Sequence, residues 1–261
     1  MIDHTYAVCA YKDSQYLEAC IRSLMKQTIK SKIIIITSTP SEFIEMIANK
    51  FNISLYINYG QGGIVQDWNF AYSKADTAYI TIAHQDDIYF KTYTEEMLKY
   101  IRATKKCLIY FTNYAEIREN NTVANNNLLR IKRIMLFPLR FSALWGSRFV
   151  RRRILSVGCP ICCPSVTFVK NNLPQTVFKV GFQSDEDWEA WEAISKRKGS
   201  FIYNKNILMG HRIHDESETS AILKDKMRIK EDYIMFCKFW PKWFAKCLIK
   251  IYSKSEQSNE L

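Results

Sequence analysis

Between Tyr6 and Asp87, apolar strands and amphipathic helices alternate with only short connections, and that rhythm leaves few folds open to the chain. Tyr6 to Ala10 reads as a strand, after which Leu17, Cys20, Ile21, Leu24 and Met25 share one helical face. Lys32 to Thr37 (KIIIIT) shows no polar alternation, so both of its faces need cover, as in an inner strand of a parallel sheet. A helix opens at Ser41 with Phe43, Ile44, Ile47, Ala48 and Phe51 inward, and Ile53 to Ile57 is a third strand. The glycine turn at Gly60 to Gly63 leads into a helix with Val65, Trp68, Tyr72 and Ala75 on one side. A fourth strand, Tyr79 to Asp87 (YITIAHQDD), stops at two adjacent carboxylates. The pattern predicts an α/β fold, a mostly parallel sheet flanked by helices on both faces. A nicotinamide-binding domain is set aside, because its GxGxxG would follow the first strand and AYKDSQYL, without a glycine, stands there.

A length of 261 residues suits one large domain, or one domain with an appended segment. Eight cysteines are scattered along the chain and MIDHTYAVCAY carries no secretory leader, from which reduced thiols and a cytoplasmic location are expected. Cys159, Cys162 and Cys163 lie together in GCPICCPS, but without a second CxxC pair they read as packing residues rather than metal ligands. The net charge of +11 is unevenly placed. No Asp or Glu occurs from Asn120 to Ser184, whereas Arg130, Lys132, Arg133, Arg140, Arg148, Arg151, Arg152, Arg153, Lys170 and Lys179 all do. An anionic partner is expected at that surface.

Two short pieces of this window, LLRIKRIMLFPLRF and ALWGSRFVRRRIL, mix aliphatic, aromatic and basic residues as interfacial helices do. Near the C-terminus Phe239, Trp240, Trp243, Phe244, Cys247, Leu248, Ile251 and Tyr252 are expected on one helical face, with Pro241 in the first turn. Lys238, Lys242, Lys246, Lys250 and Lys254 recur at four-residue spacing, drifting by roughly 40° per step around the other side. This segment reads as a peripheral membrane helix; no run approaches the ~20 apolar residues of a bilayer span.

Three islands could carry chemistry. Asp86 and Asp87 fall where ligands collect in open α/β sheets, at the carboxyl ends of strands, and paired hard oxygens there can hold Mg²⁺ or Mn²⁺. A solvated turn is the plainer reading of the same pair. Asp185, Glu186 and Asp187 open a helix with Trp188, Trp191 and Ile194 inward, a place where the helix dipole alone favours acids. Arg212 and His214 follow a short strand, Ile207 to Met209, and suit a diphosphate or a metal; taken singly, each is more often a surface or core residue.

Taken in order, these residues resemble the family 2 inverting glycosyltransferases, whose nucleotide-diphospho-sugar-binding fold is of the GT-A type. AYKDSQYLEACIRSLMKQT is similar to the family's opening segment, IAHQDD stands in the place of its D-x-D-D metal motif, EDW (Glu186 to Trp188) matches, and RIHDES is similar to its R-x-H-x-x-S. The helix GIVQDWNFAYSKA before the fourth strand also fits. The resemblance implies a GT-A Rossmann-like domain over residues 1–217, with a nucleotide-sugar-binding half (1–113) and an acceptor-side half (114–217) holding a basic amphipathic insert at 128–155, then a helical extension over 218–261. It implies Asp187 as general base and a Mn²⁺ or Mg²⁺ site at Asp86, with His214 as a further ligand. Ala10, Tyr11, Asp13, Thr37, Asp67, Asp86, Asp87 and Arg212 are implied as donor-binding residues. Two departures stand out: Thr37, Ser38 and Thr39 replace an Asp pair after the second strand, and His84 replaces the first acid of the metal motif. Asp67 and Trp68 occupy the place of a common Ala-Arg.

The implied reaction moves a sugar from a nucleotide-diphosphate donor, a UDP-sugar in preference to a dTDP-sugar, to a hydroxyl of a lipid-linked saccharide in surface polysaccharide synthesis. With the basic window and the lysine-striped tail, a protein peripheral on the inner face of the cell membrane is expected, meeting anionic lipid and no nucleic acid. Two other classes compete: a nucleic-acid-binding protein, suggested by the same net charge of +11 and by Arg151 to Arg153 among aromatics, and a silent homologue that scaffolds polysaccharide assembly. The first leaves the carboxylates unexplained, and the second leaves EDW and RIH without a purpose.

Overall fold

A computed structural model describes residues 3–119, 121–214 and 226–257. The strands are β1 (His4–Ala10), β2 (Lys32–Thr37), β3 (Ser54–Ile57), β4 (Tyr79–His84), β5 (Ile88–Tyr89), β6 (Cys107–Arg118), β7 (Asn121–Val123), β8 (Val166–Val169) and β9 (Ser200–Ile213). The helices are α1 (Leu17–Met25), α2 (Glu42–Phe51), α3 (Ile64–Lys74), α4 (Tyr93–Arg102), α5 (Asn127–Met135), α6 (Arg148–Leu155), α7 (Glu186–Ser195), α8 (Lys226–Cys237) and α9 (Lys242–Gln257), with 3₁₀ turns at Phe137–Arg140 and Ser142–Leu144.

One sheet runs in the order β3-β2-β1-β4-β8-β6-β9-β5, with β7 on β6. The β3-β2-β1-β4 half is parallel, and β8 enters antiparallel to both β4 and β6. Cover on both faces is visible in neighbouring residues of one strand. Ile35 packs with Ile21, Leu24, Ile44 and Ile47 of α1 and α2, whereas Ile34 and Ile36 pack on the side of Trp68, Tyr72 and Trp191. Each such isoleucine, fully buried, contributes about 1.5–3 kcal/mol. Ser41 caps α2, its hydroxyl accepting from the Ile44 N–H at 3.3 Å.

The segment read as a short strand at Ile207 to Met209 is part of the much longer β9. Asn204, Lys205 and Asn206 interrupt its apolar pattern because the pairing with β6 shifts register there. Asn113 donates to the Lys205 carbonyl at 2.6 Å, which holds the irregularity in place.

The run Arg151 to Arg153 is not a basic patch. Arg151 is 1 % exposed, lies 4.7 Å over the Phe201 ring and donates to the carbonyls of Ser195, Gly199 and Arg197. Arg152 pairs with Glu192 at 2.8 Å, so only Arg153 is exposed, between the rings of Phe149 and Trp240. This removes one of the two observations that suggested nucleic acid, leaving the net charge of +11. Arg151→Ala should cost about 3 kcal/mol or more, since three carbonyls lose their donor and a void opens. Urea unfolding measures it; a loss under about 1 kcal/mol would show that the carbonyls find water.

The C-terminal helix does not leave its apolar face free. Ala245 is fully buried, and Trp240, Leu248 and Ile249 pack against the main core, with the Trp240 indole donating to the Ser156 carbonyl at 2.7 Å. Trp243 and Cys247, expected on that same face, are exposed beside Lys242, Lys246 and Lys250. The buried stripe is thus rotated toward Ala245 and Ile249, and the helix covers its own domain; the side chains of Ile251, Tyr252 and Lys254 lie outside the described residues. No helix among the described residues is long and apolar enough to cross a membrane. The boundary expected at 217 and the Asp215 to Ser217 end of RIHDES also lie outside them.

Candidate functional site

The carboxyl ends of β1, β2 and β4 open onto one edge of the sheet, and β5 ties that edge to β9. Ile88 pairs with Gly210 and Tyr89 with Met209, which sets Asp86 and Asp87 against His211, Arg212 and His214. Gly210 leaves room on the β6 side of this pairing, where a Cβ would stand 2.6 Å from Cδ1 of Ile117 and force that side chain to shift.

Asp87 is fully buried. Its Oδ1 accepts from the Arg212 backbone N–H at 2.9 Å and lies 3.0 Å from His211 Nδ1. Oδ2 lies 4.0 Å from His84 Nδ1 and has no hydrogen-bond partner, nor has His84 Nε2. Asp86 is the more open of the pair. Its Oδ2 lies 3.1 Å from His214 Nε2, and its backbone carbonyl accepts from Arg212 Nε at 2.9 Å. The Arg212 guanidinium in turn covers the Tyr16 ring at 4.3 Å.

Burial lowers the His84 pKa against the pull of Asp87 and Asp86, so its ring stays neutral with a lone pair to offer. It stacks on Trp68 at 5.4 Å. Burial also pushes His211 down, but Asp87 beside it more than reverses this and its pKa is raised. One ligand atom each from His84, Asp86 and Asp87 lies within 4.8 Å of the others. Two hard oxygens and a neutral imidazole, including two orphaned buried atoms, fit a divalent cation of the Mn²⁺ or Mg²⁺ type.

The loops at the same edge form a polar cradle. Gln85 holds β1 to β4 by accepting from the Tyr11 N–H at 3.0 Å and donating to the Tyr11 carbonyl at 2.9 Å. Thr37 is buried at the end of β2, next to Ala10 in register; its hydroxyl accepts from the Thr39 N–H at 3.0 Å, and Thr39 accepts from the Lys12 N–H. Asp67 accepts from Ser38 Oγ at 2.6 Å and Asn58 Nδ2 at 2.7 Å, so its carboxylate binds the β2 and β3 loops together. Asp13 accepts from Ser41 Oγ at 2.5 Å. Gly63 caps α3 at φ 139°, a conformation that favours glycine.

Asp187 stands in the first turn of α7, where Oδ1 accepts from the Trp188 N–H at 2.6 Å and Oδ2 from the Cys159 thiol at 3.8 Å. Burial raises its pKa, opposed chiefly by the ammonium of Lys132. Lys132 comes from α5 and donates to Tyr114 Oη at 3.0 Å, and the Tyr114 ring lies 6.1 Å from His211. Burial raises the pKa of the Cys162 thiol, with Asp87 and Asp187 adding to the shift and Lys132 opposing it, so this thiol lies within electrostatic reach of both acids. Asp185 is a different acid: burial raises its pKa, with Asp232 and Asp187 adding to the shift.

Asp86, Asp87, Arg212 and His214 are therefore brought together. Ala10 and Thr37 end β1 and β2, Tyr11 and Asp13 follow β1, Asp67 stands in the first turn of α3, and Asp187 stands in the first turn of α7. Gln85, His84, His211 and Lys132 were not picked out as site residues. Only pairing across more than a hundred residues places His211 at Asp87, and no local pattern carries that; a histidine between an apolar strand and Asp-Asp was the one available signal for His84.

Sheet order, crossovers and the acidic strand end define a GT-A-type fold. The sequence profile described as "Glycosyl transferase family 2" matches residues 5–173. The chain belongs to that family. No curated protein sequence matches it. Among solved structures it is similar to residues 1–349 of Staphylococcus aureus TarS in complex with UDP-GlcNAc, at TM-score 0.65 and 12 % identity, covering 95 % of this chain and 70 % of that one. It is also similar to the mannosyltransferase PcManGT of Pyrobaculum calidifontis in complex with GDP-Man and Mn²⁺, at TM-score 0.63 and 12 % identity, covering 95 % and 69 %. Against the longer S. aureus TarS structure the chain spans 42 % of the length, at TM-score 0.57.

Proposed function

We propose that the protein is an inverting, metal-dependent transferase that moves a sugar from a nucleoside-diphosphate donor, a UDP-sugar first, to a hydroxyl of a lipid-linked saccharide in surface polysaccharide assembly. The observation that carries the donor half is the set His84, Asp86 and Asp87, three ligand atoms within 4.8 Å at the edge where β1, β2 and β4 end. TarS in complex with UDP-GlcNAc and PcManGT in complex with GDP-Man and Mn²⁺ support the same ligand classes here.

Asp86, Asp87 and His84 would hold the cation, with His214 behind Asp86 fixing its orientation. When bound, the ion would neutralise charge growing on the departing diphosphate. The Ala10 to Asp13 and Thr37 to Thr39 loops, braced by Gln85 and Asp67, would seat the nucleotide. Arg212 is clasped by the Asp86 carbonyl and Tyr16, and so adds positive charge in a fixed place. Asp187 takes the proton of the acceptor hydroxyl as that oxygen bonds to the anomeric carbon, and the bond from carbon to phosphate oxygen breaks on the opposite face. Inversion follows from a single displacement.

Titration tests the base. Asp187 must be ionised, and burial lifts its pKa above the ordinary carboxylate value of about 3.9, so kcat/KM should fall about tenfold per pH unit below a midpoint set higher than that. Lys132 opposes the lift. Lys132→Met should move the acidic limb to higher pH and Lys132→Arg should restore it; a limb unmoved by Lys132→Met would separate Lys132 from the base.

A panel of UDP-, GDP- and dTDP-sugars, each tested for thermal stabilisation with Mn²⁺, tests the reading as a whole. A ligand at a hundred times its Kd stabilises by about 2.7 kcal/mol, a shift of several degrees in a chain of this size. A UDP-sugar is expected to give the largest shift, and no shift with any donor would reject the proposal.

A further inference from the structure

Helix α5 is apolar on both sides. Its inner side buries Leu129 and continues into the buried Leu136 and Leu139, while Lys132 reaches Tyr114 in the site. Its outer side carries Ile131 and Ile134, 48 % and 66 % exposed, and the following turns carry Phe137 and Phe141, 51 % and 56 % exposed. Residues 127, 130, 131 and 134 are all exposed, the three- and four-residue spacing of a single helical stripe. Phe137 and Phe141 meet edge to face at 5.7 Å, and the Arg140 guanidinium lies 5.8 Å from the Phe137 ring. Arg130, Arg133 and Arg140 join Ile134, Phe137 and Pro138 around an open groove of about 430 Å³. Arg133 is spent internally, on Asn125 and the carbonyls of Ala124 and Tyr114, so Arg130 and Arg140 are the cations that face out.

Soluble proteins seldom expose a contiguous row of large apolar side chains unless something covers it. The chemistry of the row selects the partner. The sequence from Asn120 to Ser184 holds no acid, Phe137 and Phe141 pack edge to face on each other, and Ile131 and Ile134 present aliphatic surface that neither a base nor a phosphate covers, so an anionic surface with an apolar interior fits this row better than a nucleic acid. We propose that the outer face of α5 and the turns through Phe141 is the surface that seats the protein on an anionic lipid bilayer. Ile131, Ile134, Phe137 and Phe141 enter the boundary between headgroups and acyl chains, and Arg130 and Arg140 meet lipid phosphates.

This rests on the membrane-peripheral reading above and moves its anchor from the C-terminal helix, whose Ala245, Leu248 and Ile249 pack on the core, to the acceptor side of the sheet. The bilayer then lies one helix diameter, ~10 Å, from the side of α5 that carries Lys132. A lipid-borne acceptor would reach the site without leaving the membrane.

Co-sedimentation of the full chain with vesicles tests it, using phosphatidylcholine alone and phosphatidylcholine mixed with phosphatidylglycerol. Binding is expected only with the anionic lipid. Arg130→Gln with Arg140→Gln should weaken it roughly thirty-fold, at the usual contribution of a basic residue near such a surface. Ile134→Ser, Phe137→Ser and Phe141→Ser combined should weaken it at least about tenfold, with far-UV circular dichroism and melting curves unchanged. Trp243→Ser on α9 should leave it within about twofold. The proposal is overturned if the parent chain ignores anionic vesicles, if the α5 variants bind as well as it does, or if Trp243→Ser removes binding instead. Donor-induced thermal shifts of the same proteins separate the two readings: vesicle binding without any donor response sinks the transferase and leaves the surface standing.

Discussion

Asp187→Asn should leave donor binding intact and lower turnover by roughly 10²–10⁴-fold. Asparagine keeps the shape of the side chain, and its amide oxygen can still accept from the Trp188 N–H that fixes Oδ1 at 2.6 Å, so α7 keeps its first turn. What is lost is the ability to take a proton. Neighbouring acids are held for other tasks: burial beside Asp232 raises the Asp185 pKa, and Asp86 and Asp87 are oriented by His214, His211 and the Arg212 N–H. Release of nucleoside diphosphate from a donor, set beside a thermal shift with the same donor, measures both halves. Near-normal release would take the role of base away from Asp187.

Asp86→Ala should abolish the dependence on divalent ion and lower turnover by roughly 10²–10³-fold. Alanine leaves the Asp86 carbonyl in place for Arg212 Nε, so the clasp between β9 and this turn survives and the loss is local. The remaining His84 and Asp87 offer two ligand atoms in place of three. His84→Ala should weaken Mn²⁺ more than it weakens nucleotide, if its imidazole serves as a ligand of the ion as proposed above. An unchanged Mn²⁺ titration in Asp86→Ala would place the ion elsewhere.

The strands and helices up to β4, and the inward face of α7, were legible because their signals are local. The apolar run of KIIIIT ends where β2 ends, Ser41 caps the helix it was expected to cap, and Trp188, Trp191 and Ile194 bury as their spacing required. Family resemblance supplied Asp86, Asp87, Asp187, Arg212 and His214 as candidates. Arrangement beyond β4 was hidden, since β8 inserts antiparallel between β4 and β6 and the bulged β9 breaks the two-residue period that marks a strand. The C-terminal helix misled for a physical reason: apolar residues cover most of its circumference, and packing selected the side with Ala245 rather than the side with Trp243. Arg151 misled likewise, because a buried arginine that satisfies backbone carbonyls looks in sequence like any surface cation.

Calorimetric titration of the protein with a UDP-sugar, in Mn²⁺ and again in excess chelator, tests the donor site most directly. Saturable binding in Mn²⁺ that weakens strongly on chelation, and that Asp86→Ala reduces to the chelated level, is the expected result. Donor binding of equal strength with and without the ion, or none with any nucleotide sugar, would contradict it.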